Sequence, residues 1–408
     1  MATTTMPPTD GFRVGMLLSD TRYRGITIQI IALFIVMLMI AWLVDNTIRN
    51  LSDLGKDFSF AFLWQPSGYD INQHLIDYTS RSTNARAALV GILNTLLVAV
   101  MGCVTATVIG VFAGVLRLSR NWLVAKLMTV YIETFRNVPV LIWILIISAA
   151  VNEFLPSPRD FRLNAEGVAN AAPYLNGALV MTNRGFYTAA PVFHDGSGVV
   201  VIGLLAAIVL AILFGTWARK RQEATGEILP SGWIRLGIIV GIPLVLYFIM
   251  GMPIGVEYPE LKGFNFQGGI YARDSLIALW LALSIYTGAF IAENVRAGIL
   301  AVSKGQTEAA SALGLRPGRI MRLVVLPQAL RIIIPPLISQ YLNLTKNSSL
   351  AIAVGYMDAT GTLGGITLNQ TGREMECILL LMTFYLITSL TISMAMNWYN
   401  SRVKLKER

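Results

Sequence analysis

The chain has 408 residues, of which 55% are apolar and only 13% charged, and its mean hydropathy is +0.61. That balance excludes a water-soluble globular protein and makes a lipid bilayer the simplest solvent. The formal charge of +9 calls for no nucleic-acid partner, because the sidedness of Lys and Arg accounts for it.

A helix crossing roughly 30 Å of hydrocarbon needs about 20 residues without charge. The first such stretch, 25–44, begins too far from the N-terminus, lacks a small-residue cleavage site and runs longer than a signal-peptide core, so a retained span is expected. A partly polar segment follows to residue 86. Residues 1–86 thus form an N-terminal region of cytoplasmic segment, first helix and outer loop. The next span is 87–116, and 138–152 is a shorter one.

Between 153 and 274 the composition changes. A stretch rich in Asn, Pro and Gly leads to spans at 196–218 and 236–256, joined by Arg219-Lys220-Arg221, and then to a Gly-containing loop. Because this region adds an even number of crossings, it can be inserted without reversing anything downstream. Spans at 275–292, 332–357 (interrupted by Lys346) and 377–401 complete the membrane domain 87–401, and a basic tail occupies 402–408. The expected class is all-α: a polytopic membrane protein of eight helices, a five-helix core with one N-terminal helix and an inserted pair.

Orientation follows from the basic residues. With the N-terminus inside, the inner segments hold 20 of the 32 Lys and Arg and the outer segments 10, which places both termini in the cytoplasm. Cys103 and Cys377 lie within spans, and His74 and His194 in separate outer segments, so local motifs supply no metal site, no redox pair and no nucleophile elbow. No catalytic residue is assigned. No phosphate-cradling Gly-x-x-x-x-Gly-Lys-Ser/Thr loop occurs either, so any ATP hydrolysis belongs to another subunit.

The most informative segment is the inner loop 303–327. It contains Glu308-Ala309-Ala310, then Gly314 after three residues, and Val324 followed by Leu326-Pro327. Thr307 or Ser303 can cap a short helix, the small Ala309 and Ala310 allow close docking, and Gly314 lets the chain reverse. This pattern resembles the EAA loop of ABC importer permeases, differing in Val324 for the usual isoleucine. Leu93-Asn94-Thr95-Leu96, the run from Tyr131 through Glu133, Phe135, Arg136 and Asn137 to Pro139, the run Glu293-Asn294-Val295-Arg296, and Lys346-Asn347-Ser348-Ser349-Leu350 together resemble the polar-amino-acid permeases. The long insertion, Ser119-Arg120-Asn121-Trp122 and the run from Pro327 to Pro336 are similar to the Q-type subunits of general L-amino-acid systems.

The resemblance implies a MetI-like type I importer core in a bacterial inner membrane. It implies partners: two cytoplasmic ABC ATPases that hold ATP and Mg, a second permease subunit of M type, and a periplasmic amino-acid-binding protein. No cofactor is implied in this chain itself. Glu308, Ala309, Ala310, Gly314, Leu326 and Pro327 would form the ATPase-coupling element. Arg273-Asp274-Ser275 stands where Pro-Glu-Phe is common in the family, and Asn294 where an aliphatic residue is common; neither departure touches that loop. The alternative is a permease of the same fold for another small solute. A secondary transporter, which has no use for an ATPase-docking loop, and a plain membrane anchor fit less well.

Polar residues inside spans are costly and are therefore candidates for a pathway or gate. Glu293 and Arg296, three apart on one helical face, can pair with each other or meet a zwitterionic substrate. Glu133 and Arg136 repeat that spacing and are read as part of a cytoplasmic gate. Lys346 can attract a carboxylate, snorkel or pair with an acid, with Asn347, Ser348 and Ser349 beside it. Asn94 and Thr95 serve either helix packing or the pathway. Pro139, Pro327 and Pro335-Pro336 act as hinges or as helix starts.

Overall fold

The computed structural model describes residues 21–53, 55, 57–163 and 169–403. The N-terminal cytoplasmic segment before Thr21 and most of the basic tail lie outside the described residues. Among the described residues, eight helices are long and apolar enough to cross a membrane. They belong to α1 (Thr21–Asp53), α2 (Asn84–Arg117), α4 (Val140–Phe154), α5 (Ser197–Thr225), α6 (Ser231–Ile249), α7 (Asp274–Leu300), α9 (Leu326–Asn347) and α10 (Glu374–Val403). Two shorter helices, α3 (Trp122–Asn137) and α8 (Lys304–Ala312), lie between them. Thr83 caps α2 by accepting from the Arg86 amide, and Asn121 caps α3 by accepting from the Leu123 and Val124 amides.

The core is organised around α7, the most buried span of the chain. Helices α2, α4 and α9 pack on it, and α10 packs on α9. The main hydrophobic cluster joins Val98 and Ala106 of α2, Ile144 of α4, Leu279, Leu283 and Ile291 of α7, and Ala329, Ile333 and Leu344 of α9. Small residues set the spacing. A Cβ added at Gly110 would lie 2.5 Å from Ile291 Cβ, and one at Gly114 would lie 2.5 Å from the Ala292 carbonyl oxygen. Lipid gives no hydrophobic drive between helices, so such close backbone approach supplies the dispersion contact that holds α2 on α7.

The inserted helices α5 and α6 pack chiefly on each other, through Gly203, Ala207 and Ala211 on the α5 side. No residue of the α1 span is fully buried, and its Leu43, Val44, Thr47 and Ile48 line an apolar groove with Met375 and Leu379 of α10.

The sixth element corrects one sequence boundary. The apolar run 236–256 is not one span, because α6 stops at Ile249 and the chain turns at Gly251 (φ +72°) into a strand. Seven short strands gather at the α7 N-terminal end of the bundle. They are β1 (Leu179–Thr182), β2 (Gly185–Thr188), β3 (Ala190–Phe193), β4 (Ile254–Glu257), β5 (Glu260–Lys262), β6 (Asn265–Gln267) and β7 (Ile270–Arg273). All pair antiparallel, in the order β1-β2-β7, with β3-β4 and β5-β6 as separate pairs. Segments read only as polar loops thus form a small sheet cap with its own buried Val180, Tyr187 and Phe266.

The prolines sort by position. Pro139 is the N-cap of α4 and so starts a helix, whereas Pro327 follows the π-helical turn Met321–Val325 within one continuous helical run, and Pro335 and Pro336 sit farther inside α9.

Overpacking at the α2–α7 seam costs about 1–3 kcal/mol. Gly110→Val is therefore expected to lower the thermal midpoint of the purified protein by several degrees, whereas Gly25→Ala, with nothing within 4 Å of its added Cβ, leaves it unchanged. Detergent-based thermal unfolding followed by size-exclusion chromatography measures both.

Candidate functional site

Four groups of residues carry the chemistry, and the first is the loop after α7. Ser303 stands at the N-cap position of α8, but its side chain makes no capping bond, and Thr307 lies within the helix. The expected side-chain cap is absent because the Gln306 amide bonds to the Ser303 carbonyl instead. The end of α8 is better built. The Leu315 amide bonds to the Ala310 carbonyl and the Gly314 amide to the Ser311 carbonyl, with Gly314 at φ +75°. This is a Schellman motif, and its C′ position favours glycine because a Cβ is strained there.

Ala310 is buried with Ile320 and Val325, against partly buried Ile299, Val302, Leu315 and Val324. One side of α8 is thereby fixed to the ends of α7 and to the segment leading into α9. Glu308, Ala309 and Gly314 face out, Leu313 is 82% exposed, and Leu326 is exposed while Pro327 is half-buried. A short helix with a bare acidic and apolar outer face on a buried footing is shaped to meet another protein.

The second group is a charge cluster at the same end of the bundle. Arg296 donates twice to Glu293, from Nε at 3.0 Å and from Nη2 at 2.6 Å. Arg117, the last residue of α2, donates from Nη1 to the same carboxylate at 2.5 Å and from Nη2 to Glu133 at 3.3 Å. The Glu133–Arg136 spacing does not produce a pair, because Arg117 takes Glu133 and Arg136 lies over the Phe290 ring at 5.3 Å. Phe135 in turn stacks on Trp143 at 4.0 Å. The cluster ties α2, α3 and α7 together. Asn294 beside it has a buried Nδ2 without a partner.

The third group crosses the bundle near the loop that follows α9. Asn94 donates from Nδ2 to the carbonyls of Gln73 (2.7 Å) and Met357 (2.8 Å). Thr95 accepts from the Ala359 amide at 3.0 Å and donates to the Gly91 carbonyl at 3.0 Å. The Tyr356 hydroxyl donates to the Asn94 carbonyl. Between the two readings left open for Asn94 and Thr95, the geometry uses both side chains for packing. Asp358, fully buried, accepts from the Gly361 amide at 2.8 Å and from the Tyr385 hydroxyl at 3.4 Å. Burial pushes its carboxyl up to about 6, above the usual carboxylate range. Sequence reasoning missed Asp358 and Arg117, since neither lies in a recognisable motif.

The fourth group closes α9. Ser348 is buried and donates to the Thr345 carbonyl, and Ser349 donates to the Lys346 carbonyl. These bonds satisfy the backbone where α9 tightens into the 3₁₀ turn Ser348–Val354. Asn347 is half-buried and Lys346 exposed, and among the described residues the Lys346 ammonium has no ion-pair partner. The loop and charge clusters share one end of the bundle, while Asn94, Thr95 and the Lys346–Ser349 turn lie toward the other.

Residues 225–405 match the family described as binding-protein-dependent transport system inner membrane component. The chain is 52% identical to the glutamate/glutamine/aspartate/asparagine transport system permease protein BztB of Rhodobacter capsulatus, across 100% of both chains. It is 47% identical to the general L-amino acid transport system permease protein AapQ of Rhizobium johnstonii, over 95% of this chain and 94% of that one. A shorter likeness, at 27% identity, joins 52% of this chain to 87% of the glutamate/aspartate import permease protein GltJ of Escherichia coli K12.

Two outcomes follow from the geometry. Glu293→Ala strips two half-buried guanidinium groups of their partner and is expected to cost about 3 kcal/mol, whereas Glu133→Ala, with its side chain half exposed, costs under about 1 kcal/mol; thermal unfolding of both variants checks the order. The raised carboxyl of Asp358 means the folded state holds its proton more tightly than the unfolded chain. That stability is fully present below the ordinary value of 3.8 and is lost as pH rises through about 6. Asp358→Asn is therefore expected to gain on wild type as pH rises through this window, by up to about 2–3 kcal/mol, and then to hold a constant lead.

Proposed function

From the premise that this chain belongs to the family of binding-protein-dependent amino-acid ABC transport permeases, we propose that it moves polar L-amino acids inward across a bacterial inner membrane as one permease subunit of an ATP-driven importer. The amino-acid assignment is supported by the full-length likeness to the BztB and AapQ permeases. In this reading both termini and the α8 loop are cytoplasmic and the sheet cap faces the periplasm, in line with the excess of Lys and Arg on the loop side.

The partners are two cytoplasmic ATPases, which bind ATP and Mg, a periplasmic amino-acid-binding protein and a second, M-type permease chain. This chain itself carries out no hydrolysis. The exposed charge on Lys346 is available to a second permease chain, and lipid covers the remaining apolar surface.

The observation that carries the coupling role is the two-sided build of α8. Its Ala310 side is locked to the ends of α7 and α9, and its Glu308 and Leu313 side is bare. An ATPase gripping the bare side would move both spans together when its ATP sites close. The Arg117, Glu293 and Arg296 bonds would then carry the displacement from α7 to α2 and α3, turning helix motion into rocking of a rigid group. Glu308, Ala309, Ala310, Gly314, Leu326 and Pro327 form the coupling element; Glu133, Arg136, Glu293, Asn294 and Arg296 line the cytoplasmic gate.

Glu308→Lys and Leu313→Glu alter only exposed atoms, so the complex should still assemble. Both are expected to reduce amino-acid-stimulated ATP hydrolysis at least tenfold in proteoliposomes containing both permease chains, the ATPases and the binding protein. Undiminished stimulation in both variants would reject α8 as the coupling element.

A further inference from the structure

The sheet cap does more than cover the bundle. Where it meets the core it lines an open polar cavity of about 520 Å³, within the about 300–1,000 Å³ of small-ligand pockets. Its walls come from separate parts of the chain: Asn152 at the end of α4, Asn183 and Arg184 in the β1–β2 turn, Asn265 in β6, and Arg273 and Asp274 where β7 runs into α7. Most of the cavity is thus assembled by the insertion, with Asp274 in the first turn of the central helix of the core.

We propose that this cavity is a binding site for a free polar amino acid on the periplasmic side, a vestibule that holds substrate before it enters the path between the spans. The inference rests on the amino-acid reading given above. Its basis is the juxtaposition of both charge signs with the four amides of Asn72, Asn152, Asn183 and Asn265. Arg184 spends one terminal nitrogen on the Phe264 carbonyl at 3.1 Å, while the Tyr271 hydroxyl pins its backbone carbonyl at 2.7 Å. Its fork is held in place with donors to spare for an α-carboxylate.

Arg273 and Asp274 form only a loose pair at 3.5 Å, and the Arg273 amide is fixed by Gln73 Oε1 at 2.9 Å. The Asp274 carboxylate therefore retains lone pairs for an α-ammonium. The Asn183 Oδ1 is buried without a donor, and Asn183 lines the cavity. Such an unmet acceptor beside a polar cavity is expected where a ligand supplies the missing hydrogen bond. Asn152 Nδ2 donates to the Ser148 carbonyl at 2.9 Å and Asn265 Oδ1 accepts from the Tyr187 hydroxyl at 3.0 Å, which orients both amides and leaves the Asn152 Oδ1 as acceptor and the Asn265 Nδ2 as donor for a side-chain carboxamide or carboxylate. An apolar side chain would leave those groups unpaired, so the site should discriminate against leucine. Arg273 and Asp274 are also the charged residues that set this chain apart from the Pro-Glu-Phe pattern.

The test uses the purified assembly of both permease chains and the ATPases, without the binding protein, and measures radiolabelled L-glutamine binding by scintillation proximity. Saturable binding is expected in wild type, competed by unlabelled glutamate and not by leucine. Arg184→Gln and Asp274→Asn should each weaken it about tenfold or more, with the amount of assembled complex unchanged. Arg184 is an exposed turn residue, so its variant stays interpretable even if Asp274→Asn disturbs the start of α7. Absence of saturable binding in wild type, or binding indifferent to both substitutions, overturns the site.

A parallel assay of glutamine import in proteoliposomes with the binding protein separates the two readings. Import by wild type without any binding to the isolated assembly rejects the vestibule and leaves the transport function standing. No import of any polar amino acid rejects the function and the vestibule together. If the variants instead lose stimulation by the loaded binding protein while free glutamine never binds, the cavity is a protein-docking contact and the proposal is wrong.

Discussion

The close approach of α2 to α7 is the constraint on which the other features depend. Gly110 and Gly114 leave no room for a side chain against Ile291, Val295 and the Gly288 and Ala292 carbonyls. Only at that separation do the polar groups of the two helices meet. Thr105 and Ser284 bond hydroxyl to hydroxyl at 2.5 Å, with the Trp280 indole donating to Thr105 at 3.1 Å. One residue type thus sets the distance, and short side chains exploit it. At the end of the same seam Arg117 arrives within reach of Glu293. Had larger residues separated the helices, Glu293 would keep only Arg296 and Arg117 only its longer bond to Glu133, and α2 would lose its ionic tie to α7.

The seam also explains why the chain tolerates irregular backbone. A 3₁₀ turn, Ser348–Val354, and a π-helical segment, Thr360–Thr367, occur between the last two spans. Irregular backbone buried between helices survives only where protein satisfies its amides and carbonyls. Asn94, Thr95 and Asp358 do that here, from one side chain each to the Met357 carbonyl and the Ala359 and Gly361 amides. Gly91 makes the approach feasible, since a Cβ there would lie 2.1 Å from the Thr362 hydroxyl. Small residues on α2 therefore serve two contacts at once, with α7 at one end and with the irregular segment at the other.

The membrane part of this architecture was legible from uncharged runs alone, because span length is dictated by bilayer thickness. Even the interrupted run around Lys346 reads correctly as a crossing. What did not read from the sequence was short or non-local. The seven strands are three or four residues each, too brief for a period of two to stand out, and the run 236–256 hides the break at Gly251 because Val256 is as apolar in a strand as in a helix. The EAA loop was legible for the opposite reason: its pattern is local, and the turn at Gly314 depends on one residue. Arg117 and Asp358 lie far in sequence from their partners. No spacing rule links residue 117 to 293, so the bonds of Arg117 to Glu293 and Glu133 emerge only in the fold.

The same geometry assigns the two ends of α7 different tasks. Its C-terminal end carries the footing of α8, through Ile299 and Val302 packed on Ala310 and Val325. Its N-terminal end begins at Asp274, in the wall of the polar cavity, with β7 running directly into it. Between these ends the helix is packed on several sides and has no internal proline, so it is suited to move as a rod. A rod gripped at one end by a rigid loop and forming part of a polar site at the other links the two ends mechanically. Asp274 follows Arg273, which pairs with Gly185 of β2 beside Arg184. The carboxylate at the start of the rod and the guanidinium on the β1–β2 turn are therefore joined through one strand pair, so the α7 N-terminus and the sheet cap form one connected piece.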